Sequence, residues 1–276
     1  MEISAALIKE LKEKTGAGIV DCKQVLTETK GDVNKAVEIL RKKGLSKADK
    51  KAGRAANEGT VTLKTEGKRG LVVKVNCETD FVAKTEDFKK FASDVTELIF
   101  GKGYKFSSEF PTDVEDLRKN VIAKLGENIL VSDWKFIEAK GELYPYIHRD
   151  KFSVKVAMIA DFSISKKDGE TEELMKNIAM QITAMNPIAV DVSSIPADKL
   201  SQIKAEFEEE ARQSGKPEKI IENIVKGKLE KYYNEAILLE QAFILDEEKK
   251  VKQIIEDFVK NKGIDFKVNS FVRVSL

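Results

Sequence analysis

The chain has 276 residues, which is long for one compact domain and favours two or three. Its 48 basic and 47 acidic residues leave a formal net charge of +1, whereas a dedicated nucleic-acid-binding protein usually carries a clear basic excess. No apolar run reaches the roughly 18 residues that a membrane span needs, and the first residues do not resemble a signal peptide. The two cysteines, Cys22 and Cys77, lie far apart in the sequence; one disulfide is formally possible, but nothing indicates a framework of them. These features predict a soluble cytoplasmic protein with reduced thiols.

Residues 1–45 are predicted to form a domain of three short helices. Ser4 is a suitable N-cap for the first helix, and Gly44 is predicted to end the third. The second helix has an apolar face that is predicted to point inward and consists of Ile19, Cys22, Val25 and Leu26. A bundle this small buries little area and gains stability by docking. Residues 46–59 lack a large apolar face and are predicted to be a linker or an exposed helix.

Residues 60–140 are predicted to form an α+β subdomain that begins with a two-stranded antiparallel hairpin. The order strand, strand, acidic residue with phenylalanine, helix occurs twice, as LVVKVNCETDF before one helix and FSVKVAMIADF before another. We interpret this order as a weak internal duplication, with a related subdomain in residues 141–276. The chain is predicted to close with a helix over 247–262 and a strand over 266–275. The predicted fold class is therefore α+β.

Residues 196–233 differ from the rest of the second half. Two highly charged helical segments each carry a narrow apolar seam, and SGKP at 214–217 separates them. Two helices joined by so short a connection run antiparallel. Because the seams are narrow, we expect a helical hairpin that projects from the body and packs mostly on itself.

Motifs for covalent chemistry are missing from the sequence. His148 is the one histidine, and no Cys, His or Asp spacing is typical of a metal site. We find no glycine-rich phosphate-binding motif and no nucleophile elbow, so we expect no cofactor and no directly bound nucleotide. The sequence favours a binding protein over an enzyme, since a hydrolase would need convergent carboxylates that no spacing indicates.

A basic segment at residues 42–54 is the best candidate for binding nucleic acid. Its cations are Lys42, Lys43, Lys47, Lys50, Lys51 and Arg54. It has no interleaved aromatic residue on which a base could stack. We therefore favour a solvated linker, with a ribosome-associated or RNA-binding protein as the alternative.

Several stretches resemble the elongation factor Ts family. LKEKTGAGIVDCKQVL at residues 11–26 is similar to its N-terminal signature, and NCETDFVA at 76–83 is similar to its second signature. KLGENI at 124–129, YIH at 146–148 and SGKP at 214–217 also match in order and spacing. The resemblance implies a ubiquitin-associated-like N-terminal domain, a core of two related α+β halves and a protruding helical hairpin. It also implies that the chain binds elongation factor Tu, GDP-bound or nucleotide-free, and speeds GDP release without covalent chemistry.

The resemblance assigns the main role to Asp80 and Phe81. The matching pair in the family lies at the tip of the core and intrudes near the partner's Mg²⁺ site, where the phenylalanine acts as a wedge and the aspartate disturbs the metal's water shell. The residues alone predict otherwise, with Phe81 in the core and Asp80 as a helix cap. The other residues that the resemblance places against the partner are Thr79, Val82, Leu125, Gly126, His148, Ile19, Val20 and Lys23. Without the resemblance, Ile19 and Val20 would be assigned to the bundle core.

One departure from the family concerns the end of the sequence. Well-known bacterial members continue past the last core strand into a C-terminal helical module that grips the partner's nucleotide domain. This sequence ends at Phe271–Leu276, inside that strand. We therefore expect the additional grip to be absent, which affects affinity more than the exchange mechanism.

Overall fold

The computed structural model describes residues 3–49, 51–107, 110–213, 215 and 217–276. Within these ranges, no helix is both long enough and apolar enough to cross a membrane. The chain begins with three helices that pack around a small common core, namely α1 (Ala5–Thr15), α2 (Ile19–Glu28) and α3 (Val33–Asp49). Ser4 caps α1 as predicted, because its hydroxyl accepts a hydrogen bond of 3.3 Å from the Leu7 backbone N–H.

Two predictions about the N-terminal helices are wrong. Ile19 is 58% exposed instead of buried, because it occupies the first position of α2, where the small bundle has no preceding turn to cover it. Gly44 does not end the third helix, since α3 continues to Asp49. A glycine in a helix interior costs only about 1 kcal/mol relative to alanine, so a run of helix-forming residues can absorb it. The segment predicted as a linker or exposed helix therefore begins as helix.

The first sheet follows as three antiparallel strands in the order β1 (Glu58–Glu66), β2 (Arg69–Cys77) and β3 (Leu130–Glu138). A two-residue turn joins β1 to β2, and Gly67 adopts a φ of +58° that favours glycine. The helices α4 (Asp80–Ala83), α5 (Glu86–Lys102) and α6 (Thr112–Leu125) lie between β2 and β3. The apolar residues of α5 and α6 cover one face of the sheet, as Phe88 and Ile122 show by their complete burial.

The second sheet repeats this arrangement. Its strands are antiparallel in the order β4 (Glu142–Arg149), β5 (Val154–Ile164) and β8 (Phe266–Ser275). Its covering elements are α7 (Gly169–Met185), a small pair of strands, β6 (Ala242–Phe243) and β7 (Asp246–Lys250), and α10 (Val251–Lys262). The helix predicted from residue 247 begins only at Val251. The charged residues before Val251 pair with β6 instead, because none of them is apolar and able to pack into the core.

The two sheets pack against each other through their remaining faces. Val61, Val72 and Ile137 of the first sheet form one cluster with Ala157, Ile159 and Val274 of the second. A Cβ on Gly70 would lie 2.8 Å from the side chains of both Ile137 and Ile159, so glycine permits this close approach. The layers are thus helix, sheet, sheet and helix, which confirms the predicted α+β class.

The helices α8 (Ala197–Arg212) and α9 (Glu218–Ala236) lie between α7 and β6 in the chain. They contact each other through Phe207, Ala211, Ile221 and Val225. Ser214 and Lys216, in the predicted break between them, lie outside the described residues. Short 3-10 turns at Val192–Ser194 and Leu238–Glu240 join the pair to the second subdomain.

Candidate functional site

The one-turn helix α4 presents Phe81 to solvent. Thr79 is the N-cap, since its hydroxyl accepts a hydrogen bond of 3.3 Å from the Val82 backbone N–H. Ala83 is buried and Val82 half-buried, whereas Asp80 is exposed and Phe81 is 78% exposed. The predictions from the residues alone, Phe81 in the core and Asp80 as the cap, are therefore wrong. A single turn can bury only one side, and here that side is taken by Val82 and Ala83.

The carboxylate of Glu127 supports α4 from behind. The backbone N–H groups of Glu78 and Thr79 both donate to Oε2 of Glu127 at 3.0 Å. The Thr79 hydroxyl donates to Oε1 of the same carboxylate at 2.6 Å. Hydrogen bonds to an ionised acceptor are stronger than neutral ones, so this arrangement fixes the residues immediately ahead of Asp80. Glu127 is not among the predicted site residues, although it belongs to the KLGENI stretch.

Gly126 places Glu127 in position. It ends α6 with a φ of +78°, and its N–H donates to the Ile122 carbonyl at 2.9 Å. This left-handed residue turns the chain so that Glu127 points at Thr79. Leu125, the last residue of α6, is half-buried against the core of the first subdomain, and Gly126 itself is exposed.

The segment after α3 is tied to the same turn. The Asn128 backbone N–H donates to the Glu78 carboxylate at 2.7 Å, and the Asn128 amide donates to the Arg54 carbonyl at 2.7 Å. Arg54 pairs with Glu78 at 3.5 Å, and Lys51 donates to the Gly126 carbonyl. Lys43 pairs with Glu28 at 3.5 Å, so three cations of the basic segment make internal contacts.

The N-terminal helices dock on α6 near the same place. Gly16, in the turn between α1 and α2, lies against Lys124, and a Cβ there would come within 2.7 Å of the Lys124 side chain. Lys124 in turn donates to Asp87 at 2.6 Å.

On α2, Ile19 and Val20 are exposed, Val20 to 79%. Lys23 is also exposed. The structure thus brings the N-terminal bundle, the linker and α4 together around the end of α6.

The second subdomain contributes the loop between β4 and β5. Phe152 in this loop is 51% exposed, and the Lys84 ammonium lies 4.4 Å from the centroid of its ring. The same ammonium lies 5.6 Å from the centroid of Phe81 and pairs with Asp80. His148 is exposed on β4. Lys84 and Phe152 were not predicted. The spacing of Lys84 four residues after Asp80 indicates an ion pair, but no sequence signal connects either residue to Phe152.

The electrostatics of the site favour an ionised Asp80 and a protonated Cys77. The hydrogen bond from Lys84 lowers the pKa of Asp80. Burial, with the negative charges of Glu127 and Glu58 adding to it, raises the pKa of Cys77 to about 12. Cys77 is therefore a thiol at neutral pH and donates to the Thr79 carbonyl at 3.2 Å. Among the described residues, no group of three His, Cys, Asp or Glu side chains could hold a metal ion.

The fold and the site define an α+β protein that presents an aromatic residue and a carboxylate on a rigidly supported surface turn.

The family model described as Elongation factor TS matches residues 78–276. Elongation factor Ts of Aquifex aeolicus (strain VF5) is 40% identical over an alignment that covers 100% of this chain and 98% of the relative. The same factor of Rhodospirillum centenum (strain ATCC 51521 / SW) is 41% identical, with 100% of this chain and 93% of the relative covered. That of Prosthecochloris aestuarii (strain DSM 271 / SK 413) is 38% identical, with 100% and 99% covered. The chain therefore belongs to the elongation factor Ts family, a family of translation elongation factors.

Proposed function

We propose that this chain is a guanine-nucleotide exchange factor that binds elongation factor Tu·GDP in the cytoplasm and promotes GDP release, so that GTP can bind. The observation that carries the proposal is the exposure of Phe81 on a helix turn that Glu127 holds in place. A large apolar side chain kept in solvent by a rigid support is typical of a residue that inserts into a partner.

The exchange function needs no covalent chemistry, because it is a matter of linked binding equilibria. If the factor lowers the affinity of elongation factor Tu for GDP, GDP lowers the affinity for the factor by the same ratio. Each tenfold change corresponds to about 1.4 kcal/mol. The factor must therefore bind more tightly to a state of the GTPase in which the phosphate and Mg²⁺ site is disturbed.

Asp80 and Phe81 supply this preference in the proposed mechanism. Phe81 inserts between apolar side chains of the GTPase and displaces a helix. The insertion is favourable because the ring, which is exposed in the free chain, is buried in the complex. Asp80 brings a negative charge towards the Mg²⁺ and its water shell. The flanking residues Thr79 and Val82 hold the pair at the tip.

The remaining predicted contacts extend this surface. We propose that Leu125 and Gly126 touch the GTPase from the core, that His148 approaches its phosphate loop, and that α2 contributes its exposed residues. Those residues are Ile19, Val20 and Lys23. The exposure of Ile19 and Val20 supports this assignment, since neither is needed for the bundle core.

We also propose the domain organisation that the family implies. Residues 1–45 form a ubiquitin-associated-like domain, and residues 46–59 form a linker. The first residues of this linker belong to α3, which continues to Asp49. Residues 60–140 and 141–276 form the two core subdomains, and the α8 and α9 pair forms an antiparallel hairpin that protrudes from the second. We expect no nucleic acid, membrane or directly bound nucleotide among its ligands.

The test is the release of a fluorescent GDP analogue from elongation factor Tu in a stopped-flow instrument. The wild-type chain should accelerate release, and Phe81→Ala should reduce the acceleration at least several-fold without unfolding. Leu245→Ala, which truncates a 61% exposed apolar side chain between β6 and β7, is the control and should retain full activity. Failure of the wild type to accelerate release would reject the proposed function, and a fully active Phe81→Ala variant would reject the insertion of this ring.

A further inference from the structure

We propose that Lys84 is a positioning residue that fixes the orientation of Asp80 and Phe81 by tying α4 to the β4–β5 loop of the other subdomain. This inference rests on the proposed exchange function for its consequences, although the contacts exist in the free protein. Lys84 occupies the C-cap of α4 and sends its ammonium between the rings of Phe81 and Phe152.

The helix α4 needs support at both ends because it has only four residues. A single helical turn is unstable alone, since nucleation fixes several dihedral angles for one hydrogen bond. At its N-terminal end, the Glu127 carboxylate binds Thr79. At its C-terminal end, the Lys84 side chain makes the contacts with Asp80, Phe81 and Phe152. An ammonium over an aromatic ring is attracted by the ring quadrupole, most strongly at the shorter distance, which is that to Phe152.

The loop that carries Phe152 is itself rigid, so it can serve as an anchor. The Asp150 carboxylate accepts hydrogen bonds from the backbone N–H groups of Phe152 at 2.7 Å and Ser153 at 2.8 Å. The Val154 N–H donates to the Thr60 hydroxyl at 3.2 Å, which connects the loop to the first sheet. Phe152 and Ala83 also line the same surface groove. A contact from Lys84 to Phe152 therefore joins α4 to a fixed point.

The contacts of Lys84 increase the fraction of molecules in which Phe81 is oriented to insert into the partner. Phe81 is largely exposed, so its own packing holds its ring weakly. With Lys84 in place, the ring and the Asp80 carboxylate share one cation and are held in one relative orientation. Without the cation, the Phe81 and Asp80 side chains sample other rotamers. They must then lose this freedom in the complex, and this entropy cost lowers the maximal rate of exchange.

The experiment compares Lys84→Met with Lys84→Arg in the full chain. Methionine keeps the apolar stem and loses the charge, whereas arginine keeps a cation that stacks on aromatic rings. Lys84→Met should lower kcat for GDP release by roughly threefold to tenfold, with KM for elongation factor Tu·GDP within about twofold of wild type. Lys84→Arg should restore most of kcat. Lys90→Met, which removes a lysine that pairs with Asp94 at an exposed site on α5, is the matched control and should leave both constants unchanged.

A double-mutant cycle separates positioning from direct contact by Phe152. Because Lys84 and Phe152 act through one contact, Lys84→Met combined with Phe152→Ala should be no slower than the slower single variant. Additive losses would assign Phe152 to the partner interface and overturn the inference, as would a fully active Lys84→Met variant.

A readout in the free factor distinguishes failure of this inference from failure of the proposed function. With 4-fluorophenylalanine placed at position 81, Lys84→Met should move the ¹⁹F resonance towards that of the unfolded chain, and Lys84→Arg should not. An unchanged ¹⁹F resonance in Lys84→Met would overturn the positioning role, whatever the exchange assay shows. If Lys84→Met shifts the resonance as expected but the wild-type chain does not accelerate GDP release from elongation factor Tu, the exchange function alone is rejected.

Discussion

Glu127 and Thr79 lie 48 positions apart in the chain, and the carboxylate of the first accepts hydrogen bonds from both the backbone N–H and the hydroxyl of the second. This contact makes the turn after α6 the support for α4. The surface that we assign to partner binding is therefore held from behind by Glu127. Changes at these supporting residues should affect stability and exchange together.

The first prediction concerns Glu127→Ala. The substitution leaves the N–H groups of Glu78 and Thr79 and the Thr79 hydroxyl without their acceptor, so we expect a loss of about 1–3 kcal/mol in the free energy of unfolding. Urea unfolding followed by circular dichroism measures this loss. Glu97→Ala, on the exposed face of α5, is the comparison and should change stability by less than about 0.5 kcal/mol. Equal effects of the two variants would contradict the supporting role of Glu127.

The second prediction compares two glycines by the same substitution. Gly126→Ala places a side chain at a φ of +78° and should destabilise the protein by about 1 kcal/mol. Gly227→Ala lies inside α9, where an added Cβ meets nothing within 4 Å, and should stabilise its helix by about 0.5–1 kcal/mol. Thermal unfolding of both variants tests the pair, and a shift of the same sign would show that backbone conformation does not decide the outcome.

The third prediction concerns the reactivity of Cys77. Because burial raises its pKa to about 12, the side chain stays protonated at pH 8, and we expect no reaction with Ellman's reagent in the native protein. Unfolding in guanidinium should expose it, together with Cys22, which is also buried. Rapid labelling of Cys77 in the native state, identified by mass spectrometry, would contradict this.

The same pKa predicts a direction for the dependence of stability on pH. The ordinary pKa of a cysteine thiol is 9.0, so between about pH 9 and 12 the unfolded chain loses the Cys77 proton while the folded chain keeps it. Stability contributed by the protonated thiol is therefore complete below pH 9 and falls as the pH rises through this window. Cys77→Ala should unfold with a weaker dependence on pH over the same interval, which urea titrations at a series of pH values can measure.

Much of the fold follows from local patterns in the sequence. The alternation of β1 and β2 and the helical spacing of α5 depend on neighbours along the chain, and the structure places these elements as predicted. The predicted end of α3 was wrong because a single glycine among helix-forming residues is a weak stop signal. The predicted start of α10 was wrong because the charged run before Val251 pairs with β6.

The site was harder to predict from the residues alone. Phe81 and Ile19 are apolar, and the sequence cannot show that neighbouring residues take the buried side of a short turn. Only the resemblance to the elongation factor Ts family pointed to Phe81. Neither route indicated the contact of Lys84 with Phe152, since it joins two subdomains and depends on how their sheets pack.

The last prediction concerns Gln241, which anchors the α8 and α9 pair. This fully buried amide donates to the Glu235 carbonyl at 2.8 Å and to the Met185 carbonyl at 3.3 Å, and its oxygen accepts from Gln181 at 3.1 Å. Gln241→Leu conserves much of the volume but removes these partners at the base of α9. We expect a destabilisation of about 2–4 kcal/mol, because several buried polar groups lose their hydrogen bonds at once. Hydrogen exchange should show lost protection concentrated at the end of α9 and in the 3-10 turn at Leu238–Glu240, with β1 and β2 unaffected. Uniform loss of protection across both subdomains would instead mean that Gln241 stabilises the whole fold and has no particular role in anchoring the helices.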